Sequence, residues 1–229
     1  MSQPIAPACA APGLLYIVAM ARTLKPSRHS NRAATDREAL NDLLDEVLIG
    51  YVGISLDEGP LVLPVSFARD GDRILFHGSV GSRRMRALAD GAQACFTVTS
   101  VDALTVGRTS FGTGMQYRSG VIFGTCTQVE DADKAAALEL YTDRYLPGRS
   151  AEVRPSTKKE LLATMVLALP ITEWSMKVDV DLPGPDSENP DSDAWAGVIP
   201  LALGVGEPIP NPELSADIAV PESVRRFGQ

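Results

Sequence analysis

The sequence predicts a mainly β protein with peripheral helices, arranged as a closed or partly closed antiparallel barrel. Three observations carry this expectation. About six or seven short β-rich runs follow one another between residues 47 and 179. Clusters of Gly, Pro and Asp separate several of them. The intervening helical segments do not alternate with strands in the regular way that a doubly wound sheet requires.

Residues 1–34 are expected to form an N-terminal tail, largely disordered or extended. The stretch from Cys9 to Ala21 is apolar, but no Lys or Arg precedes it and Pro12 and Gly13 interrupt it. It is also too short to span a bilayer. Met20 opens a segment that resembles an ordinary protein start, so the first nineteen residues are read as an upstream extension.

The first firm element is a helix. Thr35-Asp36-Arg37-Glu38 reads as a capping box, and Leu40, Leu43, Leu44 and Val47 follow at helical spacing. Strands are then expected over Val47–Leu56, Leu61–Ala68 and Arg73–Gly78, joined by Asp57-Glu58-Gly59-Pro60 and Arg69-Asp70-Gly71-Asp72 into a three-strand meander. A short helix from Ser82 to Ala89 with Met85, Leu88 and Ala89 on one face stops at Gly91.

Further strands are expected over Gln93–Ser100, Leu104–Thr109 and Tyr117 to about Val129. A helix over Asp131–Tyr145, with Ala135, Leu138 and Tyr141 or Tyr145 inward, ends at Pro147-Gly148. A second helix covers Ser156–Thr164, and strands follow at Met165–Leu169 and Glu173–Asp179. Asp181–Asp193 reads as a surface loop, and Trp195–Leu201 as a short apolar return to the body. The expected organisation is therefore a domain over residues 35–201 and a proline-rich C-terminal arm over 202–229.

The chain of 229 residues is long enough to bury about 70% of its unfolded surface, which removes any need for disulfide or metal staples. Its net charge of −8 and pI near 4.8 argue against a nucleic-acid partner or an anionic membrane surface, both of which attract basic proteins. Three cysteines, Cys9, Cys95 and Cys126, form an odd set, and the latter two sit in apolar stretches, as fits a reducing cytoplasm.

The most informative segment is Phe76-His77-Gly78-Ser79-Val80-Gly81-Ser82-Arg83-Arg84-Met85-Arg86, a strand leading through small residues into a helix. It admits two readings. In one, free N–H groups, the Ser82 hydroxyl, Arg83 and Arg86 receive an anion such as a phosphate. In the other, Gly78 and Gly81 permit a tight turn, Ser82 caps the helix and the arginines are solvated. His77 is one of two histidines, with His29, and is either a hydrogen-bonded structural residue or a ligand to a cofactor. No second metal-binding side chain stands at zinc spacing, so no metal site is expected. Hydrolase, Walker and dinucleotide fingerprints are absent, Gly112-Thr113-Gly114 lacking the third glycine and the strand-to-helix setting.

Leu61-Val62-Leu63-Pro64-Val65-Ser66-Phe67, Leu75-Phe76-His77-Gly78-Ser79 and Ser82-Arg83 resemble the FMN-binding split-barrel family related to pyridoxamine 5′-phosphate oxidase. The likeness is greatest to its branch of Nim-type nitroimidazole-resistance and flavin-nucleotide-binding proteins. It continues through Met115-Gln116-Tyr117-Arg118-Ser119, Val121–Gly124, Pro147-Gly148-Arg149, Lys159-Glu160-Leu161, Leu167–Pro170, Ser175–Val178 and Trp195–Val198.

The resemblance implies a split antiparallel β-barrel with FMN as cofactor. The flavin phosphate would lie near Ser82, Arg83 and Arg86, with His77, Gly78 and Ser79 along the cofactor and Pro64, Val65 and Ser66 facing the ribityl chain or ring. It also implies a homodimer with the site at the interface, which Tyr117, Arg118 and Ser119 would approach from the other subunit. Relatives in this branch often carry two histidines where this chain has Gly112 and Thr113, and the C-terminal arginine signature of true pyridoxamine phosphate oxidases is not found after Glu173-Trp174.

The expected activity is that of an FMN-dependent oxidoreductase reducing a small electron acceptor such as a nitro compound or quinone, with nicotinamide one donor class left open. His77 is the candidate catalytic proton donor, having the only local side chain that titrates near neutrality. The alternatives are a haem-binding or haem-handling protein with His77 as axial ligand, and a non-catalytic flavin carrier.

Overall fold

The computed structural model describes residues 32–215 and 217–227. Of the expected tail over residues 1–34, residues 1–31, with Cys9, Met20 and His29, lie outside these residues, and Ala33 and Ala34 pair as a strand with Lys177 and Met176. In chain order the elements are β1 (Ala33–Ala34), α1 (Arg37–Glu46), β2 (Gly50–Leu56), β3 (Gly59–Val65), β4 (Ala68–Asp70), β5 (Arg73–Ser79), α2 (Arg83–Ala89), β6 (Gln93–Val106), β7 (Gly114–Thr125), β8 (Thr127–Gln128), α3 (Lys134–Tyr145), α4 (Arg149–Glu152), α5 (Lys158–Ala163), β9 (Thr164–Pro170), β10 (Glu173–Asp179), β11 (Gly197–Pro200) and α6 (Glu222–Arg225).

Every strand pairing is antiparallel. The larger sheet runs β1-β10-β7-β6-β2-β3, with β11 added to β6, and the smaller runs β4-β5-β9-β8. Two separate sheets make this a split barrel and remove the closed alternative. Between them lies one main core of Leu40, Leu43, Leu44, Val52, Phe67, Ile74, Phe76, Met85, Leu88, Phe96, Val98, Ile122, Leu167 and their neighbours. Leu75, Val166 and Ala168 turn to the opposite face of the small sheet and form a second cluster with Val129 and Ala137.

Several sequence expectations are corrected by local physics. Helix α1 is capped by Asp36, not Thr35: Asp36 is extended (φ −78°, ψ 118°) and its carboxylate accepts from the Glu38 N–H at 3.0 Å. The expected meander divides after its first hairpin. Tyr51 pairs with Pro64 and Val52 with Leu63, but beyond Val65 the chain crosses to the smaller sheet, with Phe67 and Ala68 fully buried at the crossing.

The strands expected at Gln93–Ser100 and Leu104–Thr109 are one strand, β6, whose register shifts between Val101 and Ala103. A bulge bends a strand without ending it. Helix α3 begins at Lys134 and buries Ala137, not Ala135. The helical turns α4 and α6 have no counterpart in the sequence reading, being too short to show a period.

Close approach explains two glycines. A Cβ at Gly120 would stand 2.6 Å from Leu40 Cδ1, so α1 lies directly on β7. One at Gly50 would stand 2.3 Å from Phe96 Cζ, inside the core. No helix among the described residues is long and apolar enough to cross a membrane.

Candidate functional site

Strand β5 and the turn after it build the site. Backbone bonds from the Ser82 N–H to the Ser79 carbonyl (3.0 Å) and from the Val80 N–H to the Ala163 carbonyl (3.1 Å) fix the turn between β5 and α2. The Ser79 hydroxyl accepts from the Gly81 N–H at 3.1 Å, and Ser82 caps α2 by accepting from the Met85 N–H at 3.4 Å. Each hydroxyl accepts these bonds and keeps its own O–H to donate. Gly78 is set by packing: a Cβ there would meet Met85 Cγ at 2.9 Å. Met85 and Leu88 hold the inner face of α2 in the core, which leaves Arg83 and Arg86 outward.

The cationic character of this corner survives its internal pairing. Arg83 forms an ion pair with Glu58 in the β2–β3 turn, and both side chains remain more than half exposed. The Arg86 side chain makes no hydrogen bond or ion pair with the other described residues, and Arg84 Nε is buried without a partner. Arg83, Arg86 and two serine O–H groups beside one neighbouring carboxylate suit a phosphate. The donor set therefore fits the phosphate end of a flavin nucleotide.

His77 stands on the face of β5 that looks toward α3. Its ring meets Tyr141 edge to face, with centroids 4.5 Å apart and planes at 84°. The residue keeps part of its surface in solvent, but its ring packs against Tyr141, and desolvation lowers its pKa below the usual 6.5. At neutral pH the ring is accordingly uncharged and offers a nitrogen lone pair, which suits it better to ligation than to proton donation.

Tyr141, which sequence reasoning treated as a core residue of α3, belongs to this corner. Its hydroxyl donates to Ser66 Oγ, and its ring lies 5.3 Å from that of Tyr145. Tyr145 in turn accepts from the Phe67 N–H (2.7 Å) and shares its proton between the carbonyls of Phe67 (2.8 Å) and Leu48 (3.0 Å). Burial pushes its phenol up to about 12. The pair thereby fixes the crossing between β3 and β4 on one side of His77. The sequence signal was present: two tyrosines four apart share a helix face.

Of the three residues at the end of β3 expected beside a cofactor, Val65 turns into the core, while Pro64 is exposed and Ser66, just past the strand, is tied to Tyr141. The second expected group lies away from this corner. On β7, Tyr117 receives a hydrogen bond from Lys177, whose ammonium also sits 4.8 Å from the ring centroid. Ser119 is opposite Thr99 and Lys177 on the same face of the sheet.

Arg118 points to the other face and is held by two carboxylates. It donates to both oxygens of Glu46 at 2.8 Å and to both of Asp102 at 2.7 and 2.9 Å. Ser100 Oγ accepts from the same guanidinium at 3.2 Å. These bonds pull the Glu46 and Asp102 carboxyls below their ordinary range and raise the arginine. Sequence reasoning placed Arg118 among cofactor contacts and missed this clamp, because its partners are 72 and 16 residues away. Within one protomer Tyr117 and Ser119 are separated from β3 by β6 and β2.

Two separate antiparallel sheets, with a cationic turn and a histidine at one corner, define a split-barrel protein. The family model described as pyridoxamine 5′-phosphate oxidase matches residues 36–178, and the chain belongs to that family. A search of curated proteins finds no match.

Among solved structures, the FAD and haem binding protein from Mycobacterium smegmatis is 42% identical, with a TM-score of 0.83, the match covering 86% of this chain and 97% of that one. A flavocytochrome from Azotobacter vinelandii is 33% identical at a TM-score of 0.83, covering 88% of this chain and 94% of the other. A protein ascribed to 5-nitroimidazole antibiotic resistance from Bacteroides thetaiotaomicron shares the fold at 19% identity and a TM-score of 0.55, covering 64% and 86%. Residues 1–178 cannot by themselves supply a coverage of 86%, so the first two likenesses run on into the C-terminal segment.

Proposed function

We propose that this protein is a homodimeric flavin-dependent oxidoreductase that also holds haem. The observation that carries the reading is the juxtaposition of a phosphate-receiving corner with an uncharged histidine on β5. Its support from outside is the 42% identity to a protein that binds both FAD and haem. The flavin phosphate end would be held by Ser79, Ser82 and Arg83, with Arg86 adding charge. His77 would hold haem through an imidazole nitrogen, and Tyr141 would set the tilt of the His77 ring.

When bound, flavin supplies hydride or single-electron transfer and haem supplies one-electron chemistry. The protein's own part is to anchor the anion, orient the imidazole and keep it deprotonated. The relative at 42% identity binds FAD, which supports FAD beside the FMN expected from the sequence. A nitro compound or quinone remains the acceptor class, and Pro64 and Ser66 would border its approach. Tyr117 and Ser119 would enter from the partner subunit, across the face of the larger sheet that no helix covers.

The test is an absorbance spectrum of the purified protein before and after incubation with FMN, FAD or haem, with unbound cofactor removed. Flavin bands lost in Arg83→Glu and a Soret band lost in His77→Ala are the expected results. Retention of both cofactors by these variants would refute the assignment of the residues. A parent protein that takes up neither cofactor would refute the function.

A further inference from the structure

Beyond the family-matched residues the chain changes character. Residues 178–229 hold ten of the 29 acidic side chains and two of the 21 basic ones, so the whole net charge of −8 falls on this segment. Within it, residues 201–215 run without secondary structure apart from one turn, and Pro208, Pro210 and Pro212 keep the backbone extended and short of donors. No backbone hydrogen bond joins residues 202–210 to the rest of the described protein.

The arm is nevertheless apolar. Leu203 is 84% and Ile209 93% exposed, with Leu201, Val205 and Leu214 also exposed. A polar tail needs no cover, whereas a leucine and an isoleucine held almost wholly in water lose the stabilisation that burial would give.

It is also fastened at both ends. At its start β11 pairs with β6, and the Leu201 N–H donates to the Asp102 carbonyl at 2.9 Å. At its end Ser223 at the first turn of α6 donates through its N–H (3.1 Å) and its hydroxyl (2.5 Å) to Glu152. Between these anchors residues 205–208 face Leu146, Val220, Val224 and Phe227 across a cleft of about 760 Å³. The segment is a strap held away from its own core.

We propose that this strap lies across a second copy of the chain and walls the cofactor corner of that copy. This rests on the homodimeric reading given above. The surface it needs is an apolar strip bordered by cations, complementary to Leu203, Ile209, Glu207 and Glu213. The chain presents that combination beside its own candidate site. Val62, Leu63 and Pro64 are exposed on β3, and the Arg83–Glu58 ion pair ties α2, which also carries the exposed Arg86 side chain, to the turn that opens this strand.

A two-fold axis exchanges the straps, so each protomer both gives and receives one. A stable interface takes about 20–30 residues a side. The strap supplies part of such an interface, and Val62, Leu63 and Pro64 beside the candidate site receive it.

The test uses the full chain and the double variant Leu203→Asp, Ile209→Asp, whose side chains touch solvent in the protomer and leave its core alone. Light scattering over a dilution series, hydrogen exchange of residues 202–210 above and below the dimer's dissociation range, and flavin off-rate are measured on both proteins.

The expected result is at least a tenfold weaker dimer, arm amides protected in the parent dimer alone, and faster flavin loss in the variant. A parent that is monomeric throughout, a variant that dimerises like the parent, or arm amides that exchange equally at both concentrations would overturn the proposal. The first two readouts need no flavin, so failure of the flavin reading alone shows as a dimer with protected arms and no bound cofactor.

Discussion

Replacing Arg118 by Met keeps the aliphatic stem against the sheet and deletes the guanidinium that joins Glu46 at the end of α1 to Asp102 in the β6 bulge. The magnitude follows from exposure. Asp102 and Arg118 are 26% and 27% exposed, so their paired bonds contribute about 1–2 kcal/mol, as charge-assisted bonds in partly buried sites do. Glu46 is 50% exposed and adds about 0.5 kcal/mol once solvent screening is allowed for. The variant is therefore expected to lose about 2 kcal/mol, or about 4–8 °C in melting temperature for a domain of this size.

The pH dependence supplies a second check. Both carboxyls have folded pKa values below their ordinary 4.5 and 3.8, chiefly through hydrogen bonds from Arg118. A depressed folded pKa contributes stability above the unfolded value that is lost as pH falls through the folded one. Thermal melts of parent and variant at about pH 7 should differ by the full amount, and at about pH 3 the gap should narrow. Equal melting temperatures at neutral pH, or a gap unchanged by acid, would refute the clamp. A variant as stable as the parent that fails to hold flavin would instead support the cofactor role expected from the sequence.

Three further outcomes follow from the same geometry. Because desolvation alone lowers the His77 pKa, Tyr141→Ala should raise it toward 6.5 in an NMR titration, while Tyr141→Phe, which keeps the ring, should leave it depressed and cost about 0.5–1.5 kcal/mol for the lost bond to Ser66. Gly50→Ala should destabilise by about 2–3 kcal/mol in urea melts because the new methyl meets the buried Phe96 ring, whereas Gly53→Ala, with its nearest neighbour at 3.5 Å, should be neutral or slightly stabilising. Burial pushes the Cys126 thiol up to about 12, so in peptide mapping after brief alkylation of the native protein Cys126 should stay unmodified until denaturant is added.

Much of this fold can be read from the sequence because local rules and tertiary packing agree. Leu40, Leu43 and Leu44 repeat at helical spacing and all three are fully buried; a helix cap was one of two readings of Ser82, and it caps α2. The strand from Glu173 to Asp179 has the bounds that its pattern indicated. The turn after β5 could be read as a possible anion site because small residues, serines and arginines lie within eight positions of one another, which is local information.

What the sequence by itself determined is therefore whatever depends on neighbours along the chain: the helices of α1 and α2, most strands, the family likeness and the cationic turn. Only the tertiary structure decided matters set by distant partners. It moved β4 and β5 to a second sheet, since alternation of side chains tells which residues are buried but not which sheet receives a strand. It fused β6 through a bulge whose Asp102 is held by Arg118. It brought Tyr141 to His77 across 64 residues, and it left Leu203 and Ile209 exposed on a strap fastened at both ends. Apolar character along a chain says that a residue needs cover; the fold alone decides whether its own core, or another copy, can provide it.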